Sequence, residues 1–142
     1  MFSYLLNLLS TKIEIEVSPD RFVFKRNDEI KGLATKVYIS KDSNRTLFLG
    51  FGDEFTATQS NICVELFKET HDRKLPNTIK SECLVVYFRY AFRLITKRCA
   101  LVRPQVVFKN SQSLSRLLCG YQDSLLLAAA TDAGARVCIF EN

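Results

Sequence analysis

The apolar residues change their spacing part-way along this chain, and that change decides what it can fold into. In residues 12–17 (KIEIEV) and 61–67 (NICVELF) they alternate with polar ones, the signature of strands with one buried face. From residue 78 to 97 they recur every third or fourth position instead. Ile79, Cys83, Val86, Tyr87, Tyr90, Ala91, Leu94 and Ile95 form one stripe there, broadened by Leu84, Phe88 and Phe92. A chain carrying both periods is neither all-α nor all-β.

The remaining signals order the elements. Ser18-Pro19-Asp20 is a turn cluster before RFVFK (21–25), so the first two strands read as a hairpin. Residues 33–40 read as a third strand, 46–50 as a short one ending in Gly50-Phe51-Gly52, and 41–45 as a loop between them. Pro76 precedes a helix capped by Asn77 or Thr78. A buried strand at 105–108, a helix over 114–132 stopped by Gly134, and a strand at 136–140 follow. Strands that alternate with helices pair in parallel through right-handed crossovers. An antiparallel meander joined to such units gives a mixed α/β sheet. With 142 residues the expectation is one domain spanning 11–142, a small inserted subdomain at about 30–75, and a separate amphipathic segment at 1–10.

Several function classes are excluded by composition. The net charge is +5, but the basic residues are scattered with no block of five like charges, so nucleic acid is not an expected partner. Five cysteines occur without a CxxC pair, and the single His71 is near none of them, so no metal site is expected. Each Cys lies in an apolar run, which fits a buried thiol in a reducing compartment. Cys99 beside Lys97 and Arg98 has positive charge nearby but no placed base, and His71-Asp72 has no placed nucleophile, so cysteine or triad catalysis is not expected. The opening MFSYLLNLLS is too short to span a membrane. Its apolar side, with Phe2, Leu5, Leu6 and Leu9, suits either a first helix packed on the core or one lying in a membrane interface.

Pieces spread along the chain carry a family resemblance. MFSYLLNLLSTKIEIEV resembles an apolar N-terminal segment running into a first strand and phosphate motif (I-x-I-D-L-G-T). LFLGFGDE, the stretch 61–68, RPQVV at 103–107 and AGARV followed by IFE at 133–141 each resemble further segments, in the same order. The family is that of the bacterial actin-like rod-shape-determining proteins, MreB. The resemblance implies an actin-like ATPase fold (the ribonuclease H-like half), a nucleotide site with ATP and Mg, and a cytoplasmic filament at the inner face of the cell membrane.

The departures fall at the implied site. The family's phosphate loop needs Asp-x-Gly-Thr, where the acid holds a Mg-bound water and Gly lets backbone amides approach phosphate. The matching positions here are Glu16 and Ser18, followed by Pro19, which has no amide hydrogen. No glutamate matches the family's catalytic acid in residues 109–113, and the chain ends where the family enters its second domain. The expectation is a truncated, divergent first domain that is not an enzyme and holds no cofactor, acting as a protein-interaction or filament-associated module in the cytoplasm or at the membrane surface. The alternative is a nucleotide-binding module completed by a partner chain. The apolar helix at 78–97 and the uncharged run 125–130 predict a dimer, or binding to a full-length actin-like protein, with Tyr87, Tyr90, Phe92 and Leu94 as contacts.

Overall fold

Alternation in the first strands places their apolar residues on one side, and pairing stacks those sides in register. The computed structural model describes residues 10–40, 48–54, 61–67, 77–96 and 102–141. β1 (Ser10–Glu16) pairs antiparallel with β2 (Arg21–Arg26), and β2 with β3 (Glu29–Ala34). On its other side β1 pairs in parallel with β7 (Val102–Lys109), and β7 with β8 (Val137–Glu141). The sheet order is β3-β2-β1-β7-β8. The register sets Ile13 beside Val106, and Ile15 between Phe24 and Phe108. Ile13, Ile15, Phe22, Phe24, Val106 and Phe108 are all at most 1% exposed, so this face is the core.

The step from β1 to β7 and the step from β7 to β8 run the same way across the sheet. Right-handed crossovers therefore put both connecting helices on one face. These are α1 (Asn77–Thr96) and α3 (Gln122–Asp132), which also pack on each other. Their buried residues, Tyr87, Phe88, Phe92 and Ile95 from α1 and Leu126, Ala129 and Ala130 from α3, complete the core. Ala129 and Ala130 let α3 approach closely. Neither helix covers the opposite face. There Lys12, Glu14 and Glu16 of β1 stand beside Gln105, Val107 and Lys109 of β7, which stand beside Val137, Ile139 and Glu141 of β8; Val107, in the middle, is nonetheless buried at 1% exposure, while Val137 and Ile139 at the edge are open.

A second, antiparallel sheet has the order β5-β4-β6, from β4 (Lys36–Ser40), β5 (Phe48–Phe51) and β6 (Asn61–Glu65). Val37, Ile39 and Val64 join the same core. Phe51 stacks on Tyr90 of α1 at 4.7 Å between ring centroids. Residues 33–40 are thus not the single strand their composition predicts. The chain leaves one sheet for the other at Thr35. Its N–H donates to the Asp20 carbonyl (3.1 Å), its hydroxyl to the Pro19 carbonyl (2.7 Å), and its own carbonyl accepts from Leu66 (3.0 Å).

The helix expected over 114–132 is also divided. A 3-10 turn (Ser111–Leu114) leads into α2 (Ser115–Leu118), and the chain then breaks at Cys119 and Gly120, with φ of 51° and 91°. Two consecutive left-handed residues cannot continue an α-helix. α3 ends as its glycine predicts: Gly134 has φ of 116°, Ala135 N–H donates to Ala130 and Gly134 N–H to Thr131, the double bond pattern of a Schellman cap. Among the described residues, no helix is long and apolar enough to cross a membrane.

Candidate functional site

In open sheets of this kind ligands bind outside the carboxyl ends of the parallel strands. Here those ends are Glu16–Val17 after β1 and Lys109–Asn110 after β7. Val17 N–H donates to the Lys109 carbonyl at 2.9 Å, extending the parallel ladder by one bond past β1. Asn110 then turns the chain with φ of 63°. This places two side chains over the β1 end: Ser113 Oγ and Asn110 Nδ2 both reach the Val17 carbonyl, at 3.0 and 3.3 Å. Ser113 Oγ also lies 2.8 Å from the Asn110 carbonyl, and Ser113 N–H donates to that same oxygen at 3.1 Å. The loop after β1 is therefore fastened to the turn after β7 by neutral hydrogen bonds.

The rest of the loop is used in the same way. Ser18 Oγ accepts the N–H of Arg21 at 3.3 Å and donates to the Arg21 carbonyl. The Pro19 and Asp20 carbonyls hold Thr35. Arg21 forms an ion pair with Asp53 of the 3-10 turn Gly52–Glu54. A polar cleft of about 300 Å³ lies beside this loop, lined by Pro19, Asp20, Arg21, Thr35, Lys36, Asp53 and Glu65 among others. It carries both signs of charge, and among the described residues no group of three or more His, Cys, Asp or Glu is placed to hold a metal ion.

Glu16 sits on the open face of the sheet, its side chain 57% exposed, with Lys25 Nζ 3.8 Å away. An exposed pair of this kind contributes at most ~1 kcal/mol. Its consequence is electrostatic: an ammonium already stands beside the carboxylate. Pro19 has no amide hydrogen to offer, and the amides of Val17 and Arg21 are engaged within the chain, by the Lys109 carbonyl and Ser18 Oγ. These residues do not fit a phosphate-and-Mg cradle, which needs free backbone amides converging on the anion.

The comparisons with known proteins agree with the topology. No family model matches the sequence, and no curated protein matches it. Among solved structures the chain is similar to crystal structures of MreB5 of Spiroplasma citri, one bound to AMPPNP and one to ADP. Each superposes with a TM-score of 0.65 over 94% of this chain, at 9% and 10% identity respectively. The fold is actin-like. This chain spans 38% of the length of the MreB5 chain, and the nucleotides are those of MreB5. The actin-like sheet is the five-stranded one, with its antiparallel meander β3-β2-β1 and parallel β1-β7-β8.

The four residues expected to make a dimer contact separate. Tyr87 and Phe92 are 0% and 5% exposed and belong to the core, which corrects their assignment to an interface. Tyr87 stands edge-on to Phe22 at 5.8 Å, and Phe92 stacks on Phe88 at 5.8 Å. Tyr90 is half-buried against Phe51, and Leu94 is half-buried beside Phe24 and Leu33. A helix apolar over most of its circumference needs cover on several sides. In α1 that cover comes from both sheets and α3. Exposed apolar side chains lie elsewhere: Ile30, Val137 and Ile139 on the open sheet face, and Leu117, Tyr121 and Leu127 around α2 and α3.

Phe2, Leu5, Leu6, Leu9, His71 and Cys99 lie outside the described residues. Burial pushes the Cys83 thiol up to about 11 and raises that of Cys138, away from thiolate character in both cases. Asn110 and Ser113, which close the loop, are not singled out by sequence reasoning. The available signal is the Asn-Ser-x-Ser run, since both residue types readily bond nearby backbone in turns.

Proposed function

We propose that this chain is a non-catalytic actin-like module that works by binding protein, either a second copy of itself or a full-length actin-like filament protein. The observation that carries the reading is the loop after β1. Asn110 and Ser113 hold its Val17 carbonyl, Pro19 removes an amide, and Lys25 stands beside Glu16, so the place of a phosphate loop is taken up by the chain's own contacts. The sheet itself is complete and well packed, and it presents exposed Val137 and Ile139 at one edge. That combination suits a scaffold that is recognised better than one that turns over nucleotide. A nucleotide module completed by a partner chain requires the same loop to open, against its hydrogen bonds.

Co-sedimentation tests the reading. A full-length MreB-type protein is polymerised with Mg-ATP, and increasing amounts of this chain are added. The expected result is saturable recovery of the chain in the pellet, or a dimer in solution without filaments. A chain that stays in the supernatant and is monomeric at all concentrations contradicts the proposal.

A further inference from the structure

The two edges of the five-stranded sheet differ in how they are guarded. Edge strands carry unpaired backbone groups that invite a further strand, and proteins block this with charges, Pro or bulges. The β3 edge carries Glu29, Lys31 and Gly32. β8, at the other edge, reads Val137-Cys138-Ile139-Phe140-Glu141, with no charge, Gly or Pro before its last residue. Among the described residues it pairs with β7 alone. Val137 and Ile139 are each 39% exposed on the open face, while Cys138 and Phe140 are half-buried on the core side, where Phe140 stacks on Phe108 at 5.1 Å.

We propose that β8 pairs antiparallel with β8 of a second copy across a two-fold axis at Ile139, joining two five-stranded sheets into one of ten. This rests on the reading above that the chain binds protein, and it names the surface. Antiparallel pairs set opposed residues on the same face, so a two-fold axis perpendicular to the sheet keeps core side with core side and open side with open side. With the axis at Ile139 all five residues pair. Ile139 meets Ile139 of the second copy, Cys138 meets Phe140, and Val137 meets Glu141. The two copies of Glu141, the strand's one charge, then lie ~14 Å apart, beyond the ~8 Å screening length, so no like charges collide. A pairing of five residues buries less than the ~1,200 Å² of a stable interface. The association is therefore weak and has to be sought at about 100 micromolar. Closed two-fold pairing is also the commonest solution for a self-complementary surface.

Light scattering after size exclusion at that concentration tests it, with Ile139→Lys as the variant and Ile30→Lys, on the guarded β3 edge, as the control. The expected weight-average mass rises with concentration from 16.2 kDa towards twice that for the wild type and for Ile30→Lys, and stays at 16.2 kDa for Ile139→Lys. A monomeric wild type overturns the proposal, and so does a folded Ile139→Lys that still dimerises. A monomer that still pellets with filaments leaves the protein-binding module standing and removes only the β8 pairing. Should Ile139→Lys fail to fold, the register is read from cysteines. Ile139→Cys faces its own copy at ~5 Å between Cα atoms, within disulfide range, whereas Val137→Cys lies ~14 Å from its copy. Mild oxidation is expected to link the first variant through residue 139 and not the second through 137, as mapped by mass spectrometry; the reverse pattern overturns the register.

Discussion

Tyr87→Phe isolates one hydrogen bond inside the core. Tyr87 is fully buried, and its hydroxyl donates to the Leu33 carbonyl at 2.7 Å. The bond ties α1 to the last part of β3, two residues before the chain passes to the second sheet at Thr35. Burial pushes the phenol upward, so it remains a donor throughout neutral pH. Phe keeps the ring and its packing against Phe22, Phe24 and Phe88, so the perturbation is confined to the bond. Leu33 is 4% exposed, and water cannot readily replace the lost donor. The carbonyl keeps its place in the ladder opposite Phe22, so the loss is that of one buried hydrogen bond, about 0.5–1.5 kcal/mol. For a domain of this size each kcal/mol shifts Tm by ~3 °C, so a fall of roughly 2–5 °C is expected. Calorimetric melting reads the shift, and urea titration is expected to lower the midpoint with an unchanged slope. Tyr87→Ala, which also removes the ring, is expected to cost ~3–5 kcal/mol. A Tyr87→Phe protein melting within ~1 °C of wild type refutes the reasoning, because the bond then contributes no net stability.

Two further outcomes follow from single residues. Burial holds the Cys83 thiol at about 11, above its ordinary 9.0, so the fold favours the neutral form: stability is full below pH 9 and is lost as pH rises through 11. At ~1.36 kcal/mol per unit the loss is roughly 2–3 kcal/mol, read by urea midpoints between pH 8 and 11, and Cys83→Ala is expected to remove that part of the slope. Gly134→Ala meets open space, yet φ of 116° is a conformation that side-chain-bearing residues rarely adopt, so a loss of roughly 1–3 kcal/mol in thermal melting is expected from backbone strain alone.

Local periodicity was enough to find the strands that build the actin-like sheet, because KIEIEV and RFVFK each bury one face against neighbours of the same kind. It was not enough to separate β3 from β4. Nothing near residues 33–40 announces that Thr35 bonds to Pro19 and Asp20, which approach it only when the hairpin has formed. The break at Cys119-Gly120 is similar: apolar spacing runs through it, and only Gly120 hints at the left-handed turn. For α1 the stripe is legible, but its width alone predicts an uncovered surface. The structure covers it through contacts with residues 40 and more positions away, such as Leu33 and Phe22 for Tyr87. At the candidate site, Glu16, Ser18 and Pro19 were visible as departures from a motif. Their closure by Asn110 and Ser113, 93 and 96 residues from Val17, was not.

The central claim is that the loop after β1 is closed by its own hydrogen bonds and does not serve nucleotide. Titration calorimetry of the chain with Mg-ATP tests it most directly. The account predicts no saturable heat up to about a millimolar of nucleotide, and the same result with ADP. Saturable binding tighter than about 100 micromolar, roughly −5.5 kcal/mol, would contradict it, since that affinity requires the loop after β1 to turn free backbone amides towards phosphate.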